Sequence, residues 1–339
     1  MSVQIFMTAT EAVLPIVLLI LLGFLLRAKG FLSDGFLSVG SKVVFRLCLP
    51  VLLFTSVYSI ENLSRIRWDL CLYCVGSFAL IFLLGAAAAV VTTPVAERRG
   101  VLVQCIFRSN FAIIGMPLAA TLGGEEAMAV AAVLAAVMIP LFNVLAVLAL
   151  SMFRKDENGR VNVKKIAGDV VRNPLIVSAA AGLLVLLVRQ WQIERFGTVV
   201  FSLERDLAAV YGVLRDLKSM TTPLALIVLG GQFRFSAVRG LLREVVTGTV
   251  WRIALAPVIG VGGAILLSRW GVLQCGAAEY PALIALYGSP VAVSSAIMAR
   301  EMHNDEQLAT QLLVWTSVAS IVTIFAAVCL MMGMGLIAV

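Results

Sequence analysis

The chain has 339 residues, of which 61% are apolar and only 13% charged, and its mean hydropathy is +1.03. A soluble globular domain is about 45–50% apolar and about 25% charged, so this composition excludes an ordinary soluble protein and predicts a membrane protein. The net charge of +7 does not indicate nucleic-acid binding, because the basic residues lie in short gaps between apolar runs and form no single patch or tail. The apolar runs are continuous, which favours α-helices over alternating barrel strands.

Charges, glycines and prolines divide the chain into ten predicted transmembrane helices. Residues 1–10 contain no Lys or Arg, whereas Arg27 and Lys29 follow the first apolar run, which is the reverse of the charge order in a cleaved signal peptide. The first run is therefore predicted to be retained. The ten helices are predicted at 11–28, 37–57, 70–92, 101–122, 127–152, 173–190, 218–234, 246–268, 280–299 and 308–336.

The Lys and Arg residues in the gaps predict the orientation of these helices. With the N-terminus outside, fourteen of them fall in cytoplasmic gaps and eight in external gaps, and the richest gap, 154–172, is cytoplasmic. Cytoplasmic loops of membrane proteins carry the excess of positive charge. We therefore predict a multi-pass protein of the cell (inner) membrane with both termini outside.

The prolines recur at similar intervals in the two halves of the chain. The offset from Pro50 to Pro223 is 223 − 50 = 173, and that from Pro15 to Pro174 is 174 − 15 = 159. The difference between these two offsets is explained by the longer gap between the sixth and seventh predicted helices. Each half holds five helices, and an odd number of crossings gives the two halves opposite orientations, as in the inverted repeats of secondary transporters.

The same Gly-x-Pro sequence motif lies in the fourth predicted helix of each half. Gly115-Met-Pro117 and Gly288-Ser-Pro290 show the same offset as the first proline pair, since 288 − 115 = 173. The predicted fold is thus an all-α integral membrane protein with two inverted five-helix repeats whose fourth and ninth helices are broken. The predicted parts are a first repeat at 1–152, a cytoplasmic linker at 153–172 and a second repeat at 173–339.

These two segments are also where a substrate site is expected. Glycine exposes backbone and proline removes a donor, so each helix should break there and resume at the proline. Helix N-termini bind carboxylate or phosphate oxygens, although a plain proline kink is the alternative reading. The free N–H groups would be those of Leu118, Ala119, Val291 and Ala292. The predicted substrate-binding residues are Asn110, Gly115, Met116, Pro117, Leu118, Gly288, Ser289, Pro290, Val291, Ser294, Arg108, Asn143 and Thr222.

The charged residues inside the predicted helices are cationic. All nineteen Asp and Glu residues lie in gaps or at helix ends, whereas Arg46, Arg108 and Arg252 lie deeper. Ionisable groups within a membrane usually face a cavity or a partner, so these arginines predict a positive interior that suits anions. Snorkelling to the cytoplasmic interface is the alternative for each. The single histidine, His303, lies in a gap, so electrogenic uniport or exchange is favoured, with a sodium site of carbonyl and hydroxyl oxygens left open.

Other functional classes find little support. An enzyme would need a histidine or carboxylate pair within the helices for acid–base chemistry, and none is present in the sequence. Cys71 and Cys74 have a metal-like spacing, but no second pair or nearby histidine completes a site. No metal or cofactor is therefore predicted. Matched helix breaks at the midplane of the membrane are not expected in a membrane sensor or scaffold protein.

Four short segments resemble the auxin efflux carrier family, whose bacterial members resemble plant PIN-type exporters. The matches extend through both halves, and their order and spacing make the resemblance cover nearly the whole chain. They are Arg108-Ser-Asn-Phe-Ala-Ile-Ile-Gly-Met-Pro117, Thr222-Pro-Leu-Ala-Leu-Ile-Val-Leu-Gly230, Ser289-Pro-Val-Ala-Val-Ser-Ser-Ala-Ile-Met298 and Leu49-Pro-Val-Leu-Leu-Phe54.

The resemblance implies a crossing of the broken helices at Pro117 and Pro290, with Asn110 as the crossover asparagine. It also implies an elevator-like transport domain that moves against a scaffold of the first, second, sixth and seventh helices, and a homodimer formed through that scaffold. Family substrates are carboxylates. Because the segment Phe153–Val171 is far shorter than the hydrophilic loop of many plant exporters, a bacterial carrier of malonate-like or malate-like acids is favoured over an auxin carrier. A sodium-coupled symporter resembling bile-acid carriers, which share the crossed-helix plan, is the alternative.

Overall fold

A computed structural model describes residues 14–15, 18–58, 67–153, 168, 172–233 and 238–337. Over these residues the protein is helical, and the β-type contact is an isolated bridge without strands. The all-α prediction is thus confirmed for the described part of the chain. The helices are α1 (Leu18–Ala28), α2 (34–58), α3 (Trp68–Thr92), α4 (Ala96–Phe107), α5 (Phe111–Met152), α6 (Pro174–Phe196), α7 (Leu203–Asp206), α8 (Ala208–Gln232), α9 (238–269), α10 (Glu279–Gly288), α11 (Ser294–Glu301) and α12 (Glu306–Gly333).

Within the described residues, six helical segments are long and apolar enough to cross a membrane, and they lie in α2, α3, α5, α6, α9 and α12. Helix α5 has 42 residues, which corresponds to about 63 Å of helix and is twice the hydrocarbon thickness of about 30 Å. It is divided at Gly123 and Gly124, whose backbone is not helical. This division agrees with the separate helices predicted at 101–122 and 127–152. The count of ten crossings and their inverted arrangement stay predictions.

Three prolines lie two residues after a π-helical turn. Proline lacks an N–H group, and its ring crowds the carbonyl four residues earlier, so widening the preceding turn lets the helix continue. These prolines therefore modify their helices without ending them. The π turns end at Cys48, Gly115 and Leu255, and the prolines are Pro50, Pro117 and Pro257.

Two helix breaks touch each other at the centre of the protein. The first, at 108–110, separates α4 from α5, and the second, at 289–293, separates α10 from α11. Ser109 and Val291 form an antiparallel β-bridge. The Asn110 N–H group donates to Pro290 O (2.8 Å), and the Ala292 N–H group donates to the Arg108 carbonyl (3.3 Å). We call this paired region, 108–110 with 290–292, the crossing.

The crossing corrects the sequence prediction in the first half. The prediction of a break at Gly115-Met-Pro117 is wrong, because the preceding π turn accommodates Pro117 and the helix continues from Phe111 to Leu122. The residue that pairs with Val291 is Ser109, an offset of 291 − 109 = 182 and not 173. In the second half, α10 ends at Gly288 as predicted, but α11 begins at Ser294 and not at Pro290.

The helices pack in two sets. Helices α1, α2, α6 and α8 form set one, and α3, α4, α5 and α9 to α12 form set two. In set one, a Cβ atom on Gly23 would lie 2.1 Å from Ile227 O, and one on Gly230 would lie 2.0 Å from Ile20 O. Only glycine therefore allows the backbones of α1 and α8 to approach this closely.

Ion pairs connect the helix ends of set two. At one end, Arg98 pairs with Glu244 (3.1 Å) and with Asp305 (3.0 Å). In a second cluster, Arg67 at the start of α3 pairs with Glu279 at the start of α10 (2.7 Å). The first cluster joins α4 to α9 and α12, and the second joins α3 to α10.

Candidate functional site

A cavity of about 70 Å³ lies where the crossing faces set one. Since a water molecule needs roughly 10–15 Å³ of such volume, the cavity has room for about five waters or one small organic molecule. It is lined by Leu49, Leu52, Leu53, Arg108, Ser109, Asn110, Phe111, Ala112, Ile113, Ile139, Phe142, Asn143, Leu175, Thr221, Thr222, Ala225, Ala292, Val293 and Ser294.

The helices that resume after the two breaks both begin at this cavity. Helix α5 begins at Phe111 and α11 at Ser294. Among the described residues, the N–H groups of Ala112, Ile113, Val293 and Ser294 have no hydrogen-bond acceptor. Such N-terminal groups, together with the helix dipole, carry about half a positive charge and suit an anion. Two helix N-termini thus share one small cavity.

The predicted set of free N–H groups was wrong. Leu118 and Ala119 lie inside α5, past its first turn. The Val291 N–H group donates to Thr316 Oγ1 (3.1 Å), and the Ala292 N–H group is used in the crossing. The free groups lie elsewhere because the helices begin six residues earlier than predicted in one half (117 − 111 = 6) and four residues later in the other (294 − 290 = 4).

Arg108 brings a buried positive charge to the cavity, with 4% of the residue exposed. Its Nη2 group donates to Asn143 Oδ1 (2.6 Å), its Nη1 group contacts Met298 Sδ, and Asn143 Nδ2 donates to Ile139 O (2.8 Å). No described carboxylate lies within ion-pair distance of the Arg108 guanidinium. Its charge is therefore neutralised by no described residue.

Asn110 offers a second donor beside this charge. Its carbonyl accepts the N–H groups of Ile114 (3.0 Å) and Gly115 (3.3 Å) at the start of α5. Its side-chain Nδ2 atom is buried and has no partner among the described residues. A buried donor without a partner costs about 1–3 kcal/mol, and an oxyanion in the cavity would satisfy it.

The facing wall comes from set one and is mostly apolar. Helix α2 contributes three leucines, α6 contributes Leu175, and α8 contributes Thr221, Thr222 and Ala225. The Thr221 hydroxyl already donates to Leu217 O (2.8 Å). The cavity therefore has a positive, donor-rich wall at the crossing and a hydrocarbon wall opposite it.

The structure brings five of the thirteen predicted site residues to the cavity. These are Arg108, Asn110, Asn143, Thr222 and Ser294. Four others lie further along α5, and four lie at or before the second break, outside the lining. The former are Gly115, Met116, Pro117 and Leu118, and the latter are Gly288, Ser289, Pro290 and Val291.

Sequence reasoning missed most of the apolar lining. Ile139, Phe142 and Asn143 follow the i, i+3, i+4 spacing of one helix face, which is a signal that could have added the first two to the predicted asparagine. Nothing comparable marks the leucines of α2, because leucine is common on every face of a membrane helix.

The three interior arginines have different surroundings. Arg46, like Lys42 on the same helix, is exposed at the surface of α2. Arg252 is fully buried, so snorkelling does not describe it, and it lies outside the cavity lining. Arg108 alone of the three lines the cavity.

Residues 8–327 match the family described as "Membrane transport protein", which is the auxin efflux carrier-like family. The chain belongs to this family. An uncharacterized transporter of Methanothermobacter thermautotrophicus is 24% identical over 328 residues, which cover 95% of this chain and 98% of that relative. The resemblance noted in the sequence is thereby confirmed. Family membership and the apolar helices support a multi-pass membrane transporter rather than an enzyme.

Proposed function

We propose that this transporter moves small organic anions, namely mono- or dicarboxylates of the malonate, malate or auxin type, by an elevator-type alternating-access mechanism. The observation that carries the proposal is the cavity at the crossing, where two helix N-termini and Arg108 meet with no described carboxylate beside them. A substrate carboxylate would accept hydrogen bonds from Asn110 Nδ2 and the free N–H groups. Its hydrocarbon part would lie against the leucines of the opposite wall.

The charges near the cavity favour an anion carried without a coupling cation. Arg108 and Arg252 are buried at the crossing, and the remaining buried charged residue of the described chain, Glu244, is paired with Arg98. Cation sites in proteins use oxygen ligands, often carboxylates. A sodium-coupled symporter therefore stays the second candidate, and the experiment below separates the two.

Related contacts in the two halves support the inverted-repeat arrangement. The contact of Gly23 with Ile227 O has a counterpart in Gly182, where a Cβ atom would lie 3.1 Å from Phe54 O. The offset from Gly23 to Gly182 is 182 − 23 = 159, and that from Phe54 to Ile227 is 227 − 54 = 173. These are the offsets that the prolines showed.

The ion pairs of set two repeat in the same way with the charges exchanged. Arg98 pairs with Glu244, and Glu279 pairs with Arg67. The offsets are 279 − 98 = 181 and 244 − 67 = 177, close to the 182 of the crossing. A two-fold relation between the halves accounts for both pairs.

The position of the cavity between the two sets supports the elevator movement. Set one contains the four helices that the family resemblance assigns to the scaffold, and set two carries the crossing. The wall that set one presents to the cavity is mainly leucine, which allows sliding without breaking many polar contacts. A homodimer through set one, and the orientation with the N-terminus outside, belong to the same proposal.

Currents measured on a solid-supported membrane would test the function. Purified protein in liposomes is exposed to malonate, malate, succinate and indole acetate, with and without sodium. We expect a saturable, sodium-independent current for at least one acid. Arg108→Gln should raise its KM about 10- to 100-fold, since a hydrogen bond to a charged group contributes about 1.5–3 kcal/mol.

Arg46→Gln is the matched control, because Arg46 is exposed on α2 and lies outside the cavity lining. Its KM should equal that of the unmodified protein. A current that requires sodium would favour the symporter. If none of the four acids produced a current, or if both substitutions changed the KM equally, the assignment of an organic anion to this cavity would be contradicted.

A further inference from the structure

Arg252 links the C-terminal ends of two broken helices. It lies in the π turn Trp251–Leu255 of α9, with 0% of the residue exposed. Its Nη1 group donates to Phe107 O (2.8 Å) and Ile106 O (3.3 Å), which end α4. Its Nη2 group donates to Tyr287 O in the last turn of α10. One guanidinium therefore holds both helices that enter the crossing.

These carbonyls need such a partner. The last four C=O groups of a helix have no intrahelical donor, and the C-terminal end carries about half a negative charge. Here two such ends are buried in the protein core, away from solvent. Arg252 supplies fixed donors and a positive charge to both, and a planar guanidinium can do this because its two Nη atoms diverge.

The carbonyls that Arg252 binds lie at similar distances from the two breaks, since Ile106 and Tyr287 each lie two residues before the first residue of a break. The offset from Ile106 to Tyr287 is 287 − 106 = 181, and that between the bridge residues Ser109 and Val291 is 182. A single side chain thus binds the last turn of the helix that precedes each break. The helix N-termini that follow the breaks open on the cavity, whereas Arg252 lies outside the cavity lining.

We infer that Arg252 is a positioning residue for the substrate site. It ties the two breaks into one unit, so that the free N–H groups of α5 and α11 and the Arg108 guanidinium keep a common geometry. The positive charge of Arg252 is paired with no described carboxylate. It therefore contributes to a positive electrostatic potential at the crossing, which favours the binding of anions. The statement about anions rests on the proposed function, whereas the statement about the tied breaks does not.

Two substitutions at this position separate its donors from its charge. Arg252→Met removes both, and Arg252→Lys keeps a charge on a single nitrogen that reaches one helix end. Arg269→Met is the matched control, because Arg269 is exposed at the far end of the same helix. Each variant is purified by gel filtration, and hydrogen exchange and transport are measured on the monodisperse protein.

We expect amide exchange to rise at least tenfold in peptides covering 108–113 and 290–295 in both Arg252 variants. Exchange in α6, which belongs to set one, should stay unchanged. The KM for a transported anion should rise at least tenfold in Arg252→Met and less in Arg252→Lys, with a smaller change in maximal rate. Arg269→Met should behave as the unmodified protein.

Exchange in the two crossing peptides within twofold of the unmodified protein would overturn the inference, as would a uniform rise in all helices. If Arg252→Met yields no monodisperse protein, exchange in Arg252→Lys decides alone. If the unmodified protein carries none of the acids, the proposed function fails, but the exchange measurement still decides whether Arg252 ties the breaks.

Discussion

Arg108 and Arg252 lie near the same crossing, and the groups that bind them are neutral. Arg108 meets an amide oxygen and a thioether, and Arg252 meets backbone carbonyls. Charges within a membrane are costly and mark functional sites. The sequence identified both residues as interior charges, but their partners come from segments distant in the chain, such as Asn143 and Tyr287.

Gly260 is the residue whose substitution should most directly disturb this arrangement. A Cβ atom there would lie 2.1–2.4 Å from three ring atoms of Tyr287, and the same ring stacks on Phe78 at 4.6 Å between centroids. Because Tyr287 is fully buried, its ring cannot move away without displacing neighbouring side chains. Gly260→Ala should therefore lower stability by about 1–3 kcal/mol, as overpacking does, measured by thermal unfolding in detergent.

Gly262→Ala is the control for this substitution. Gly262 lies in the same π turn, and a Cβ atom there would meet nothing within 4 Å. It should leave the unfolding temperature unchanged or raise it slightly, since alanine favours helix over glycine. Equal unfolding temperatures for Gly260→Ala and the unmodified protein would contradict the packing around Tyr287.

At the scale of helices, several prolines lie within a helix and do not mark its end. Pro50, Pro117 and Pro257 each follow a π turn and leave their helices continuous. The true breaks lie at 108–110 and 289–293, where backbone groups pair with the opposite break instead of with their own helix. Short-range sequence signals therefore identified the right helices and misplaced one of the two breaks.

The division of α5 depends on a glycine conformation. Gly124 has φ +65° and ψ −156°, a backbone region that is essentially restricted to glycine and costs other residues about 1–3 kcal/mol. Gly124→Ala should therefore lower the unfolding temperature. Gly76→Ala in the middle of α3 is the control, because a Cβ atom there meets nothing within 4 Å and its φ is not positive. Equal stability of the two variants would show that α5 is not divided in this way.

At the scale of the whole molecule, the cavity lies between the two sets of helices and belongs to neither alone. A hydrogen bond from Gln307 Nε2 to Gln232 O (3.0 Å) also joins the sets. Their opposing surfaces at the cavity are a donor-rich crossing and a leucine wall. In the proposed elevator mechanism, an anion that neutralises the crossing would lower the cost of moving set two past hydrocarbon, because a neutral surface costs less to desolvate.

Cysteine labelling tests the predicted orientation of the molecule. Lys29 and Arg195 are exposed at the ends of α1 and α6, and the N-out orientation places them on the cytoplasmic and external sides. In intact cells, a membrane-impermeant maleimide should label Arg195→Cys, and Lys29→Cys only after permeabilisation. The reverse pattern would contradict the orientation.

The native Cys275 lies in the loop between α9 and α10, and its reaction with the maleimide contributes background labelling in this experiment. Burial raises the pKa of its thiol to about 11, so the reactive thiolate is scarce at neutral pH. The unmodified protein should therefore label weakly at neutral pH, and its labelling should grow as the pH rises toward this pKa. Strong labelling at neutral pH that does not change with pH would contradict the burial of Cys275.

The amino-acid sequence by itself determined the class of this protein, the family to which it belongs and five of the residues that line its cavity. Hydropathy, charge placement and short motifs are local properties, and they suffice for those conclusions. The tertiary structure decided that Ser109 and not Pro117 lies at the crossing, that Arg252 holds two helix ends, and that leucines of α2 close the cavity. Each of these depends on contacts between residues distant in the chain, and no local pattern records the outcome of that pairing.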